Sequence, residues 1–171
     1  AAQPDHWVGT WATSPVMLAN TTDKFGAADT TYREIVHVSL GGASVRIIVS
    51  NEFGLDPLTI GAANIALSTG SGSIDTASAG ALTFSGRPSV IIPPGALAVS
   101  DPVALKVSAL SDLAVSLFVP AQPMRRVSIH NFADQTNYES PGNVIQEKTL
   151  DTTEKLYSWP FLQGVDVMAN G

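Results

Sequence analysis

The chain has 171 residues, 44% of them hydrophobic and 14% charged, with a net charge of −6 and a pI near 4.8. That length supports one domain with a sizeable core, and the hydrophobic content excludes an acidic disordered chain. The negative charge argues against a nucleic-acid partner, and the lack of cysteine excludes disulfides, thiolate nucleophiles and cysteine-based zinc sites.

The start, AAQPDHW, has small residues and no basic or apolar leader, as in a chain trimmed by a signal peptidase, so a secreted or periplasmic location is expected. No apolar run reaches the length of a membrane span. Asn20-Thr21-Thr22 is a glycosylation acceptor pattern that matters only in a eukaryotic secretory host.

Along the chain the dominant period is two. Tyr32, Glu34, Val36, Val38 and Leu40 alternate with Arg33, Ile35, His37 and Ser39; Gly41-Gly42 follows, and then Val45, Ile47 and Val49 share one face of Ser44–Asn51. This pattern predicts a hairpin with a two-residue turn. Leu58–Ser68 reads as a strand with Gly61 marking a bulge or a close backbone approach. Ser68–Gly80 reads as a polar loop, followed by short strands in ALTF and SVIIPPG around a Gly86–Pro88 turn. DPVALKV and DLAVSLFVP are the next strands, the second with Leu113, Val115, Leu117 and Val119 inward. RVSIHNFADQTNYES reads as two short strands or a strand and a loop, and the chain closes on YSWPFLQGVDVMA, where Val165 and Val167 alternate with Gly164, Asp166 and Met168. SALSDL and DTTEKLYS are candidates for single helical turns, and no longer stretch holds a helical period. Short β segments between Gly and Pro punctuation predict an all-β fold, a jelly-roll-like antiparallel β-sandwich, spanning residues 1–171 as one domain.

Chemistry is sparse. Gly-x-Ser-x-Gly, Gly-x-Gly-x-x-Gly and the phosphate-loop pattern are absent. His6, His37 and His130 do not cluster as metal ligands, so neither a metal nor another cofactor is expected. The acids Glu34, Glu52, Asp56, Asp101, Asp112, Asp134, Asp151 and Asp166 are scattered, with none of the pairing that glycoside hydrolysis requires. Asp5, Asp56 and Asp101 have turn explanations.

Two stretches are candidate contacts for substrate or for another domain. The strand-end loop SNEFG offers Asn51, Glu52 and Phe53, with Phe53 as its anchor; it is equally a structural turn. The stretch SIHNFADQTNYES offers His130, Asn131, Gln135 and Tyr138, able to hydrogen-bond and stack on a sugar or an ester; it also suits a loop that ties down its own backbone. Trp7, Trp11 and Trp159 are ring-stacking candidates, although Trp7 and Trp11 fall on one side of an extended chain, as a core pair would. No complete catalytic site is legible.

Seven segments occur in a familiar order: WVGTWATSP, REIVHVSLGGASVRIIVSNEFG, PLTIGAANIAL, GRPSVIIPPGA, SDPVAL, LAVSLFVP and FLQGVDV. Spread from Trp7 to Val167, together they resemble the N-terminal region of secreted two-part SGNH hydrolases, the GDSL-type lipases and esterases. The resemblance implies a β-sandwich, often described as carbohydrate-binding-like, followed closely by an α/β/α catalytic domain with a Ser-His-Asp triad. The Gly-Asp-Ser, Gly-x-Asn-Asp and Asp-x-x-His blocks of that domain do not occur in this chain, so no catalytic residue is carried over. By this resemblance VDVMANG is a seam after which a catalytic domain would follow Gly171. The chain is then an accessory domain of an ester hydrolase, binding substrate or supporting an SGNH-type catalytic partner. The alternatives are a stand-alone carbohydrate-binding module and a purely structural or protein-interaction sandwich.

Overall fold

The computed structural model describes residues 6–150 and 154–169. The small-residue start, Asp5, Asp151 and the Asn170-Gly171 turn signal lie outside them. The strands in chain order are β1 His6–Ala12, β2 Val16–Ala19, β3 Thr30–Val38, β4 Gly42–Ser50, β5 Leu58–Ile60, β6 Ala62–Gly70, β7 Ser73–Ile74, β8 Gly80–Leu82 and β9 Val90–Ile92. They continue as β10 Leu97–Val99, β11 Val103–Val107, β12 Ser111–Val119, β13 Arg126–Asn131, β14 Asn137–Pro141, β15 Glu154–Leu156, β16 Ser158–Pro160 and β17 Leu162–Ala169. One turn of π-helix spans Thr22–Gly26.

The expected antiparallel β-sandwich forms. A five-stranded sheet runs β1-β17-β4-β10, with β11 also on β4, and a seven-stranded sheet runs β15-β14-β3-β12-β6-β7, with β8 on β6. Smaller sheets are β16-β13-β2 and β5-β9. One apolar cluster joins the two large sheets: Leu113, Val115, Leu117 and Val119 of β12 with Val45, Ile47 and Val49 of β4 and Val165 and Val167 of β17, all 0% exposed. Burying each such side chain contributes roughly 1.5–3 kcal/mol.

The alternation expected for β3 and β4 is present, but the hairpin is not. β3 pairs with β12 and β14, whereas β4 pairs with β17, β10 and β11. Gly41-Gly42 therefore carries the chain across the sandwich, because each strand has a long-range partner and an apolar face to bury. Both glycines are packed rather than free: an added Cβ would lie 2.4 Å from Val107 O at Gly41 and 2.5 Å from Met168 O at Gly42.

Gly61 marks a close approach, as anticipated. Its N–H donates to Phe118 O, an added Cβ would meet the Phe118 ring at 2.8 Å, and the chain passes there from β5 to β6. The loop expected over Ser68–Gly80 contains the short strand β7, whose Ile74 is 1% exposed. Neither candidate helical turn forms among the described residues. SALSDL turns at residues 108–110 and enters β12, and the described part of DTTEKLYS holds β15.

Trp7 and Trp11 are not a core pair. The β1–β17 register shifts between Gly9 and Trp11, which sets Trp7 opposite Met168 and Trp11 opposite Val165. The extra residue turns the two rings to opposite faces. Trp7 stacks under Arg46, whose guanidinium lies 4.5 Å from its ring centre, while Trp11 packs on the core.

Candidate functional site: an aromatic face on the small sheet

On β13, Val127 and Ile129 belong to the core, so Arg126, Ser128 and His130 take the other face. Register places Met17 of β2 opposite Ser128 and Trp159 of β16 opposite His130. Three rings meet there. Trp11 and Trp159 make an edge-to-face contact with centroids 5.1 Å apart, and His130 lies 5.8 Å from Trp159. The Trp159 indole is fixed, since Nε1–H donates to Ile35 O at 3.0 Å. His130 is oriented too. Its Nδ1 lies 2.7 Å from Ser14 O, and a carbonyl only accepts, so Nδ1 carries the proton and a neutral ring keeps its lone pair on Nε2. Trp11, Ala12, Thr13, Ser14, His130 and Trp159 line a hollow of about 410 Å³.

The SNEFG loop joins this face through Ser128. The Ser128 hydroxyl, fully buried, accepts the Phe53 N–H at 3.0 Å. Farther along, Arg125 binds Asp56 through its side chain (Nη2 to Oδ1, 2.8 Å) and its backbone N–H (to Oδ2, 2.8 Å). These bonds hold the Asp56 carboxyl below its usual range. Ser128 and His130 are two residues apart on one strand face, about 7 Å. The backbone of the loop at Phe53 thereby lies against β13 two residues from His130. Glu52 is exposed and accepts from the Ser50 hydroxyl at 3.2 Å. Phe53 is 41% exposed, so its backbone anchors the loop while its ring faces solvent, the reverse of the expected role.

The other anticipated contacts are elsewhere. Asn51 is buried and structural: its Nδ2 donates to Asp56 O and Ile92 O, both at 2.9 Å. Asn131 opposes Ser158 and, by strand alternation, points away from the His130 face. Gln135 lines a separate shallow depression with Asp134 and Tyr157. Tyr138 is on another sheet, packed against Ile35, Ala66, Ile74 and Ala114. The polar–aromatic stretch is divided because the chain leaves the small sheet after β13 and enters the seven-stranded sheet at β14. Asn137 staples that passage, accepting Ile35 N–H and donating to Ser158 O, each at 2.7 Å.

Two exposed aromatics flank the region: Phe132, next to β13, and Tyr157, next to β16, at 93% and 61% exposure. Tyr157 escaped the sequence reading because its proximity depends on the bond from Ala133 N–H to Tyr157 O, which no local pattern announces. The face thus combines flat apolar rings with the imidazole of His130. That set suits stacking on a ring whose edge carries hydroxyl donors. Among the described residues no serine hydroxyl bonds a histidine ring; His37 pairs with Asp112 at 2.7 Å on an exposed sheet surface. Among the described residues no group of three or more His, Asp and Glu side chains is placed to hold a metal ion, and no helix is long and apolar enough to cross a membrane. No protein-family model matches the chain, and no curated protein is significantly similar to it.

Proposed function

We propose that the chain is a non-catalytic accessory domain of a secreted SGNH/GDSL-type ester hydrolase, and that its aromatic face holds the carbohydrate part of the substrate for an SGNH-type catalytic domain. The meeting of Trp11, Trp159 and His130 on one face carries the binding part of this reading. The seven ordered segments support the hydrolase part. Tethering such a face to a catalytic domain raises the local concentration of a polymeric ester. A stand-alone carbohydrate-binding module would use the same face without a hydrolase partner.

Affinity electrophoresis through gels containing xylan, mixed-linkage β-glucan or galactomannan tests the binding. Retardation by at least one polymer, lost in Trp11→Ala and His130→Ala, is the expected result; free migration in all three gels would overturn it. With the chain joined to an SGNH-type catalytic domain, the same substitutions should slow hydrolysis of an acetylated polymer and leave a small soluble ester unaffected. Retardation with no effect on either substrate favours the stand-alone module.

A further inference from the structure

We propose that the chain carries a second sugar-binding site, a hollow beside the turn that leaves β13, in which the Tyr157 ring stacks on one neutral pyranose while Asp134, Gln135 and Thr136 bond its hydroxyls. The ligand class rests on the carbohydrate reading of the aromatic face; the site rests on its own residues. Ala133, Asp134, Gln135, Thr136 and Tyr157 line the hollow, which measures about 330 Å³. β13 and β16 build it. Their ladder ends with Asn131 opposite Ser158, and one further bond, Ala133 N–H to Tyr157 O at 2.8 Å, fixes the turn against the residue before β16. Ala133 is buried and anchors the turn, while Tyr157 is 61% exposed. Two residues separate Tyr157 from Trp159, at most about 7 Å of backbone. The hollow is therefore separate from the Trp11–Trp159–His130 face but close to it.

Two observations point to a ligand. The first is a set of polar side chains left over. Other turns of this chain tie themselves down with theirs: Asp75 accepts Ala77 N–H at 3.0 Å, Asp29 accepts Ala121 N–H at 2.9 Å, and Asp101 accepts the Thr83 hydroxyl at 2.6 Å and Gly86 N–H at 2.7 Å. Asn137, at the exit of this same turn, is bonded at both its oxygen and its nitrogen. Among the described residues, the side chains of Asp134, Gln135, Thr136 and Tyr157 bond no protein group, yet all four line one hollow. The second observation is strain. Phe132, where the turn begins, has φ 62°, a left-handed conformation that costs a bulky residue energy. Its ring is 93% exposed, so packing within the chain does not offset that cost. Such strain gathers at binding turns. The chemistry narrows the ligand. An exposed aromatic ring takes the C–H face of a sugar, a carboxylate accepts from hydroxyls, and an amide and a hydroxyl both donate and accept. No Lys or Arg lines the hollow, so nothing there attracts an anion. The volume is at the lower end for small-molecule sites and matches one ring.

Amide chemical-shift mapping of the full chain, titrated separately with xylotetraose, cellotetraose and mannotetraose, tests the site. Saturable shifts at residues 133–136 and Tyr157 with at least one of these sugars are expected. Tyr157→Ala should weaken the binding read there about tenfold, the loss of one stacked ring. Gln135→Ala should weaken it about fivefold, the loss of one hydrogen bond. Neither side chain bonds a protein group, so the unfolding midpoint should hold in both variants. Tetragalacturonate, with a carboxylate on every ring, should leave these amides unmoved; saturable shifts with it refute the neutral class. Shifts at Trp11, His130 and Trp159 with none at residues 133–136 or Tyr157 overturn this site and leave the aromatic face standing, whereas shifts at neither overturn both. Binding at the hollow that keeps its full affinity in Tyr157→Ala refutes the stacking, and the site with it.

Discussion

Arg33 and Glu34 are neighbours on β3, both fully buried, on opposite faces of one sheet. Arg33, on the outer face, spends its guanidinium on Ser116 Oγ, Gly72 O, Ile145 O and Glu147 O at 2.8–3.2 Å. Burial lowers its pKa to about 10, with Glu147 pulling the other way, so it remains charged near neutrality. Glu34 enters the core between Tyr32 and Val36, opposite Val115, and neither of its oxygens has a hydrogen bond. Burial pushes its carboxyl well above the usual range, so the group escapes its cost by staying protonated. Adjacent residues thus show both ways of burying an ionisable group: surround the charge with carbonyl dipoles, or give up the charge.

The largest effect is expected from Arg33→Met. The substitution strands the carbonyls of Gly72 and Ile145, which are buried, and of Glu147, which is partly so, and unfastens the two segments that Arg33 ties to the sheet. Equilibrium unfolding in urea should show a loss of about 3–5 kcal/mol, the usual scale for breaking a buried charged network. A loss below 1 kcal/mol would mean that the bonds to Gly72, Ile145 and Glu147 are incidental and the comparison with Glu34 fails.

Glu34→Leu should move stability the other way. The variant removes a buried acid that has no partner and replaces it with an apolar side chain, and a gain of about 1–3 kcal/mol at neutral pH is expected. The sign of the pH dependence follows from the raised native pKa. Below the unfolded-state value both states bind the proton and ionisation contributes nothing. As pH rises past that value the unfolded chain ionises while the native one does not, so the wild type loses stability until the native pKa is reached. The gap between variant and wild type should therefore widen with pH from about 4.5 upward. Urea midpoints measured at several pH values check this, and a gap that stays constant refutes the assignment of Glu34 as a neutral buried acid.

Neither member of this pair was legible beforehand as what it is. The period of two in residues 32–40 correctly separated Arg33 from Glu34, but alternation alone leaves open whether the second face meets solvent or a covering segment. Here residues 70–74 and 143–149 cover it, and nothing local to β3 encodes them. The same gap between local and long-range information explains the misplaced hairpin: Gly41-Gly42 specifies a reversal, not whether the strands it joins pair or face each other. Where burial alone decides, as at Leu113, Val115, Leu117 and Val119, the pattern sufficed. For the aromatic face, His130, Glu52 and Phe53 were visible as residues of the right chemistry. The company of His130 with Trp11 and Trp159 depends on the bulge in β1 and the β13–β16 register. Asn51 and Tyr138 looked identical in kind and turned out to be packing groups.

Ser128 tests the intermediate case, a buried neutral group with its bonds made. Ser128→Ala leaves the Phe53 N–H without its acceptor and loosens the SNEFG loop from β13. A loss of about 1 kcal/mol is expected, well short of Arg33→Met, with increased hydrogen exchange at Phe53. If the aromatic face uses Glu52 and Phe53, polysaccharide retardation should weaken as well. Unchanged exchange at Phe53 would show that Arg125–Asp56 holds the loop without Ser128.

The smallest effect should come from an exposed contact between β3, the strand of Arg33, and β12. His37 lies on the same face of β3, four residues on, and bonds Asp112 at 2.7 Å, but the two side chains are 59% and 48% exposed. Solvent screens the pair and the side chains give up rotational freedom to form it, so Asp112→Asn should leave the unfolding midpoint unchanged within error in moderate salt. At 2.7 Å this contact is as short as any bond Arg33 makes. If Asp112→Asn were to cost as much as Arg33→Met, bond length rather than burial would govern these sites, and the contrast between Arg33 and Glu34 would lose its basis.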